Sequence, residues 1–271
     1  MRTIKLLIAY DGTDLVGWQR QPAGVSVQGL LEEAVAPFQN GPVSVIGAGR
    51  TDAGVHAAGQ VASVQLASAA GVEDLRRSLN ARLPPVVRVL GAGEAPASFH
   101  ARFDARTKTY EYRILNGAVI SPFMHRYAWH VPWPLDLDRM AAAARAIEGT
   151  HDFACFQSTG SGVQTSVRQM YESRVTAVSG LPGFTPFPDA TANGSRLIVY
   201  RVRGSGFLRH MVRAIVGTLV DIGRGSVDPS IMPRLLAGEP RSAAGPTAPA
   251  HGLCLASVSY DPPPELVAAH R

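Results

Sequence analysis

The stretch Gly47-Ala48-Gly49-Arg50-Thr51-Asp52-Ala53-Gly54-Val55-His56-Ala57 (GAGRTDAGVHA) separates an apolar run, Val43-Ser44-Val45-Ile46, from an alternating one, Gln60–Leu66. The flanks read as two strands and the stretch as a tight turn between them. Gly47, Gly49 and Gly54 open backbone conformations closed to other residues and allow a ligand to approach closely. Such a turn reads either as a plain turn held by an Asp52 side-chain hydrogen bond or as a site at strand ends that carries a working carboxylate. Arg50 and His56 flank Asp52 closely. The lysine of a GxxxxGK[ST] phosphate loop is missing and no helix clearly follows, which sets that loop aside.

Working outward, strands and helices alternate. Thr3–Tyr10 reads as a strand that ends in the turn Asp11-Gly12. Ser26 is a plausible N-cap for a helix over 26–38, with Leu30, Leu31, Ala34 and Val35 on one side. Residues 42–47 and 59–66 are expected strands. A second helix over 72–83 is stopped by Pro84-Pro85, and a strand over 86–95 follows. Thr107–Leu115 alternates with period two and predicts a strand. A helix is expected over 136–149, with acidic residues at its start and Gly149 at its end. Strands are expected over 171–178 and 196–204, joined by a surface loop at 179–195. The run 207–223 is read as one helix, with Phe207, Met211, Ile215 and Leu219 on one face and Arg209 and Arg213 on another. Asp228-Pro229 opens a short helix, residues 241–251 read as a flexible loop, and 252–260 as the last strand. The expectation is an α+β protein of two related units, each a mixed or antiparallel sheet with helices packed on it. The units are 1–104 and 105–271.

The chain has 271 residues, 46% of them hydrophobic and 17% charged, enough for a sizeable core. The formal charge is +5. Of 26 basic residues 24 are Arg, and only Lys5 and Lys108 are Lys. The Arg fork can grip phosphate and stack on bases, so a polyanionic partner is permitted. Cys155 and Cys254 give neither a disulfide framework nor a CxxC metal knuckle, which fits a cytoplasmic setting. The first residues read as a strand and not as a signal peptide. No run of about 18 apolar residues occurs, so no membrane span is expected.

The spacing of the eight His offers no third ligand near His125 and His130, or near His151 and Asp152, so no metal is expected. A zinc deaminase needs H-x-E and P-C-x-x-C, and His56 is followed by Ala57-Ala58. A serine elbow is also missing. What remains is the chemistry of one carboxylate. A lone Asp that stays ionised while buried needs a cationic neighbour. Arg213 is the candidate, although spacing alone favours a solvated helix Arg.

Seven segments in order, YDGTDLVGWQRQ, GAGRTDAGVHA, KTYEYRI, SPFMHRYAWHV, HDFACF, GFLRHMVRAIVGTL and GLCLASVSY, together resemble the tRNA pseudouridine synthase A family from Tyr10 to Tyr260. The resemblance implies the pseudouridine synthase fold with a central cleft. It implies isomerisation of uridine to pseudouridine at positions 38, 39 and 40 of the tRNA anticodon stem-loop, with no cofactor. It places the catalytic carboxylate at Asp52, its basic partner at Arg213 and the stacking platform for the flipped base at Tyr110. Arg50 matches a residue that fills space or grips phosphate as the base leaves, and Leu253 an apolar residue lining the uracil pocket. Tyr112 keeps the role of an ordinary strand aromatic and His56 a structural one. The family further implies a homodimer that takes tRNA on both subunits' surfaces. The family often has an aromatic residue near Leu15-Val16, and the 179–195 and 241–251 loops look particular to this chain. Rival readings are a non-catalytic RNA-binding protein, a pseudouridine synthase with another RNA target, and a glycosidase, which normally wants two paired carboxylates.

Overall fold

The computed structural model describes residues 1–39, 41–158, 164–178, 195–260 and 267–268. Along the chain run β1 (Arg2–Tyr10), α1 (Val27–Val35), β2 (Ile46–Gly47), β3 (His56–Leu66), α2 (Val72–Arg82), β4 (Val87–Ala95), β5 (Thr107–Asn116), β6 (Trp129–Val131), α3 (Leu137–Arg145), β7 (Gly149–Asp152), β8 (Val167–Val178), β9 (Arg196–Gly204), α4 (Met211–Gly223), α5 (Ile231–Leu236), β10 (Leu253–Ser259) and β11 (Val267–Ala268). The fold is mixed α+β. The loop expected at 179–195 lies, but for Ser195, outside the described residues.

Two compact units emerge, Met1–Lys108 with Cys254–Arg271, and Thr109–Leu253. The boundary expected at 104/105 leaves the C-terminus with the second half. In the structure β10 lies parallel to β3, with Cys254 opposite His56 and Leu255 opposite Ala57, so the end of the chain belongs to the first unit.

In the first unit β1 is central, antiparallel to β3 and to β4, with Leu6 opposite Ala62 on one side and Ala92 on the other. Alternation along β1 sends Ile4, Leu6 and Ile8 into full burial. On α1, Val27, Leu31 and Val35 are equally buried, and Leu75 and Leu79 are the buried residues of α2. Burying each such side chain is worth about 2 kcal/mol. Ser26 caps α1 as expected, its side chain accepting from Gly29 N at 3.1 Å. The expected strand over 42–47 shrinks to β2. Val45 is held instead by α1, its N donating to Glu32 Oε1 (3.2 Å) and its O accepting from Gln28 Nε2 (3.3 Å).

In the second unit the strand order is β5-β9-β8-β7, with β6 parallel to β5. Asp136 caps α3 by accepting from Arg139 N at 3.0 Å. The helix ends at Arg145, and Gly149, at φ +107°, opens β7 rather than closing the helix. α4 is buried along nearly its whole length. It begins four residues later than its apolar spacing predicts, because His210 adopts a left-handed conformation, φ 62°. Arg209 therefore precedes the helix and shares no helix face with Arg213.

Candidate active site

The Asp52 turn is built by the first unit. Val55 N donates to Asp52 O at 3.1 Å, with Gly54 at φ +78°, the left-handed position that a type II turn reserves for glycine. The loop after β1 clamps this turn from outside. Trp18 N donates to Thr51 O (3.1 Å) and Gly54 N to Leu15 O (3.3 Å). The Trp18 ring fills the space that a Cβ on Gly47 would need. Beneath the turn the buried Tyr10 phenol and Thr51 hydroxyl meet at 2.8 Å. Burial raises the Tyr10 pKa, so its proton stays in place at neutral pH. Gln60 Nε2 donates to Gly49 O at 2.8 Å, and Ala48 N to Val61 O at 2.7 Å.

His56 is buried where β3 starts. Gly12 N donates to its Nδ1 at 3.0 Å, and Asp11 Oδ1 stands 3.2 Å from the same atom. It ties the Asp11-Gly12 turn to the Asp52 turn, which is a structural role. Asp52 itself is half-buried, and Arg50 is exposed. The Lys108 stem lies across Gly49, 3.2 Å from where a Cβ would stand. The backbone that carries Asp52 is thus fixed on both sides.

The second unit carries Tyr110, Arg213 and Leu253. Alternation on β5 turns Tyr110, Tyr112 and Ile114 inward and leaves Glu111 and Arg113 half-exposed. Tyr110 meets Phe207 edge-to-face, ring centres 5.0 Å apart. Phe207, expected as the first contact of a helix face, is instead the aromatic neighbour of Tyr110. Tyr112 is fully buried and donates to Pro249 O at 2.8 Å. Burial raises its pKa while the nearby Arg213 charge opposes the shift. Arg213, half-buried on the first turn of α4, donates through Nε to Ala248 O (2.7 Å), and its own O accepts from Ala248 N (3.1 Å). Leu253 is buried at the start of β10.

The loop at 241–251 corrects the expectation of flexibility. Arg241 donates to Gly245 O (2.9 Å) and Thr247 Oγ1 (3.1 Å), and Gly245 N donates to Thr218 Oγ1 (2.9 Å). The Pro246 carbonyl lies where a Cβ on Gly217 would sit. The loop is thus pinned to α4 at three levels, and it presents the carbonyls that hold Arg213 and Tyr112. Sequence reasoning missed this role, and also the left-handed His210, whose Nδ1 lies 2.7 Å from Ser158 Oγ. The signal for the first is Gly217 in the middle of the apolar-rich helix α4. Among the described residues no group of three or more His, Cys, Asp or Glu is placed to hold a metal ion. Nor is any helix among them long and apolar enough to cross a membrane.

A profile described as tRNA pseudouridine synthase matches residues 6–104 and 143–261. A protein of Solibacter usitatus named tRNA pseudouridine synthase A is 46% identical over 264 residues, covering 96% of this chain and 100% of that protein. Proteins of the same name from Syntrophotalea carbinolica and Geotalea uraniireducens are 43% and 41% identical over 262 and 260 residues. They cover 97% and 96% of this chain, and 98% and 100% of their own lengths. The Asp52 turn and the first turn of α4 lie within the segments that the profile matches, the relatives align over nearly the whole chain, and the chain belongs to the tRNA pseudouridine synthase family.

Proposed function

We propose that this protein isomerises uridine to pseudouridine in tRNA, acting at positions 38, 39 and 40 of the anticodon stem-loop. The C1′–N1 glycosidic bond breaks, the uracil turns while it is held, a C1′–C5 bond forms, and the proton on C5 moves to nitrogen. Nothing is oxidised or reduced, so no redox cofactor enters the balance.

Asp52 is the catalytic carboxylate, and the observation that supports this role is its turn: Asp52 is half-buried on a segment anchored by backbone on both sides. Arg213 is its basic partner. The Ala248 carbonyl, accepting from Nε, fixes the orientation of its guanidinium plane. Tyr110 stacks on the extruded uracil, at a cost of a few kcal/mol of unstacking recovered in part by that ring, and its phenol accepts or relays the proton lost from C5. Leu253 gives the base an apolar wall, and the exposed Arg50 holds phosphate or the space the base leaves. Targets at three successive positions call for recognition of shape and backbone rather than base edges. A basic, Arg-dominated chain suits that task. The working form is a homodimer in the cytoplasm, with tRNA taken on both subunits' surfaces.

The test is pseudouridine mapping of an unmodified tRNA transcript after incubation with the purified protein, beside Asp52→Ala. Pseudouridine at 38–40 from the wild type, and none from the variant at equal RNA binding, is the expected result. Tight binding with no product from the wild type would make the protein an RNA-binding one without this activity.

A further inference from the structure

The first unit holds an aromatic ring for which nothing within the fold accounts. Phe103 is 75% exposed, and yet it is not loose. Its ring stacks on His100, with centres 4.2 Å apart and planes 26° from parallel. The imidazole beneath it is pinned, because Nδ1 accepts from both Arg102 N and Phe103 N at 3.2 Å. Asp104 closes the turn in both directions. Its Oδ2 accepts from His100 N (2.8 Å), and its N donates to His100 O (3.1 Å).

The residues around the ring are core anchors. Ala101 is fully buried, and its N donates to Ser63 Oγ at 3.2 Å. Its O accepts from Tyr260 Oη at 2.5 Å. Phe99 packs on Tyr260, ring centres 5.2 Å apart, and Arg106 N donates to Ser259 O at 2.9 Å. A rigid scaffold thus holds one phenyl ring largely in solvent, where it gains little from burial. The surroundings are basic. Arg102 is exposed, with its guanidinium 5.6 Å from the Phe103 ring centre, and Arg106 is exposed as well. Ala101 and Ala105 belong to one apolar cluster with Ala48, at the base of the Asp52 turn.

We propose that Phe103, backed by His100, is a stacking platform for one unpaired base of the RNA substrate, with Arg102 on the adjoining phosphate. The proposal rests on the reading that the protein acts on tRNA. An RNA is the occupant that fits. A π-face on a pinned ring accepts any base, and the exposed Arg102 guanidinium 5.6 Å from its centre matches a phosphate. The platform explains how a varied target is held without base-edge readout.

The experiment compares wild type, Phe103→Ala, Phe103→Trp and Arg102→Ala on an unmodified tRNA transcript. Phe103→Ala is expected to raise KM roughly tenfold with kcat at saturating RNA unchanged. Arg102→Ala is expected to flatten the slope of log affinity against log salt by about one. Phe103→Trp should restore KM, and its added emission over wild type should be quenched by RNA through stacking. Unchanged KM in Phe103→Ala, or an emission from Trp at 103 that RNA leaves untouched, overturns the proposal. Conversion of a dimer to a monomer by Phe103→Ala in sedimentation also overturns it, by making this ring a protein contact. If Phe103→Ala fails to fold, the quenching in Phe103→Trp decides. A wild type that makes no pseudouridine, beside a Phe103→Trp whose added emission RNA quenches, separates failure of the activity from failure of the platform.

Discussion

Gly17 is where backbone strain can be traded against catalysis most cleanly. It sits at φ +100°, outside the range of ordinary L residues. An added Cβ would stand 2.5 Å from Thr51 O and 3.0 Å from the Asp52 carbonyl carbon. Ordinary contact begins at 3.4 Å, so Gly17→Ala must open about 0.9 Å between two backbone segments that are hydrogen-bonded to each other. Neither can yield by rotating a side chain. The displaced segment carries Asp52, and a misplacement of about 1 Å can cost about 100-fold in rate. Gly238→Ala is the matched control. Gly238 lies at φ +116° with nothing within 4 Å of its Cβ position, so it carries the strain without the collision. That strain is about 1–2 kcal/mol, or a few degrees in Tm for a chain of this size. We expect both variants to lose Tm, Gly17→Ala more. Only Gly17→Ala should lose kcat, about 100-fold, with RNA affinity retained, measured by tritium release from C5-labelled uridine in tRNA. A folded Gly17→Ala with kcat within about threefold of wild type would refute the reasoning. So would a Gly238→Ala that loses as much, since rate would then follow global stability.

Tyr110→Phe keeps the ring and its edge-to-face contact with Phe207 but removes the phenol. If the phenol takes the C5 proton, kcat falls about 100-fold or more while KM holds, whereas Tyr110→Leu should lose both. Gly217→Ala drives a Cβ into the Pro246 carbonyl and so detaches the loop that holds Arg213 and Tyr112. It should lower stability by at least about 3 kcal/mol in chemical denaturation. Lys5 is buried between Phe99 and Tyr260, its Nζ 4.2 Å from the Tyr260 ring centre, and desolvation lowers its pKa from 10.5 to about 8. Below that value both folded and unfolded chains hold the proton and the fold bears the full penalty. Above it the unfolded chain binds more protons, so stability rises from about pH 8 toward pH 10. Lys5→Met should remove that rise from denaturation curves taken across the window.

The parts of the fold that the sequence made legible are those in which local chemistry and burial agree. Ser26 and Asp136 cap helices because short oxygen-bearing side chains reach the first free N–H groups, and both lie directly before apolar periodicity. β5 alternates through Tyr110, Tyr112 and Ile114 because that face meets a core, and β1 puts Ile4, Leu6 and Ile8 on one face. The failures share a cause of another kind. Val43–Ile46 has the composition of a strand, but Glu32 and Gln28 on α1 take the Val45 backbone groups that a neighbouring strand would use. Residues 207–223 have the spacing of one helix, but spacing reports which side chains face inward and not the backbone angle at His210. β6 and β7, of three and four residues, are too short to show any period.

The candidate site divides along the same line. The motif around Asp52 announces itself because its glycines are needed locally: Gly54 for its φ, Gly47 for the Trp18 ring, and Gly17 for the carbonyl of Thr51. Arg213 does not announce itself, since an Arg on a helix surface and an Arg held by a distant carbonyl look alike in sequence. What fixes it is the 241–251 loop, some 35 residues away. That loop is rich in Gly, Pro, Ala and Ser, and composition reads it as slack. Its order comes from Arg241 gathering the Gly245 carbonyl and the Thr247 hydroxyl, and from a glycine in α4 that lets Pro246 approach. A loop can be small-residue-rich because it is mobile, or because it must lie flat on a helix. Gly217, the partner that lacks a side chain at the point of contact, distinguishes the two.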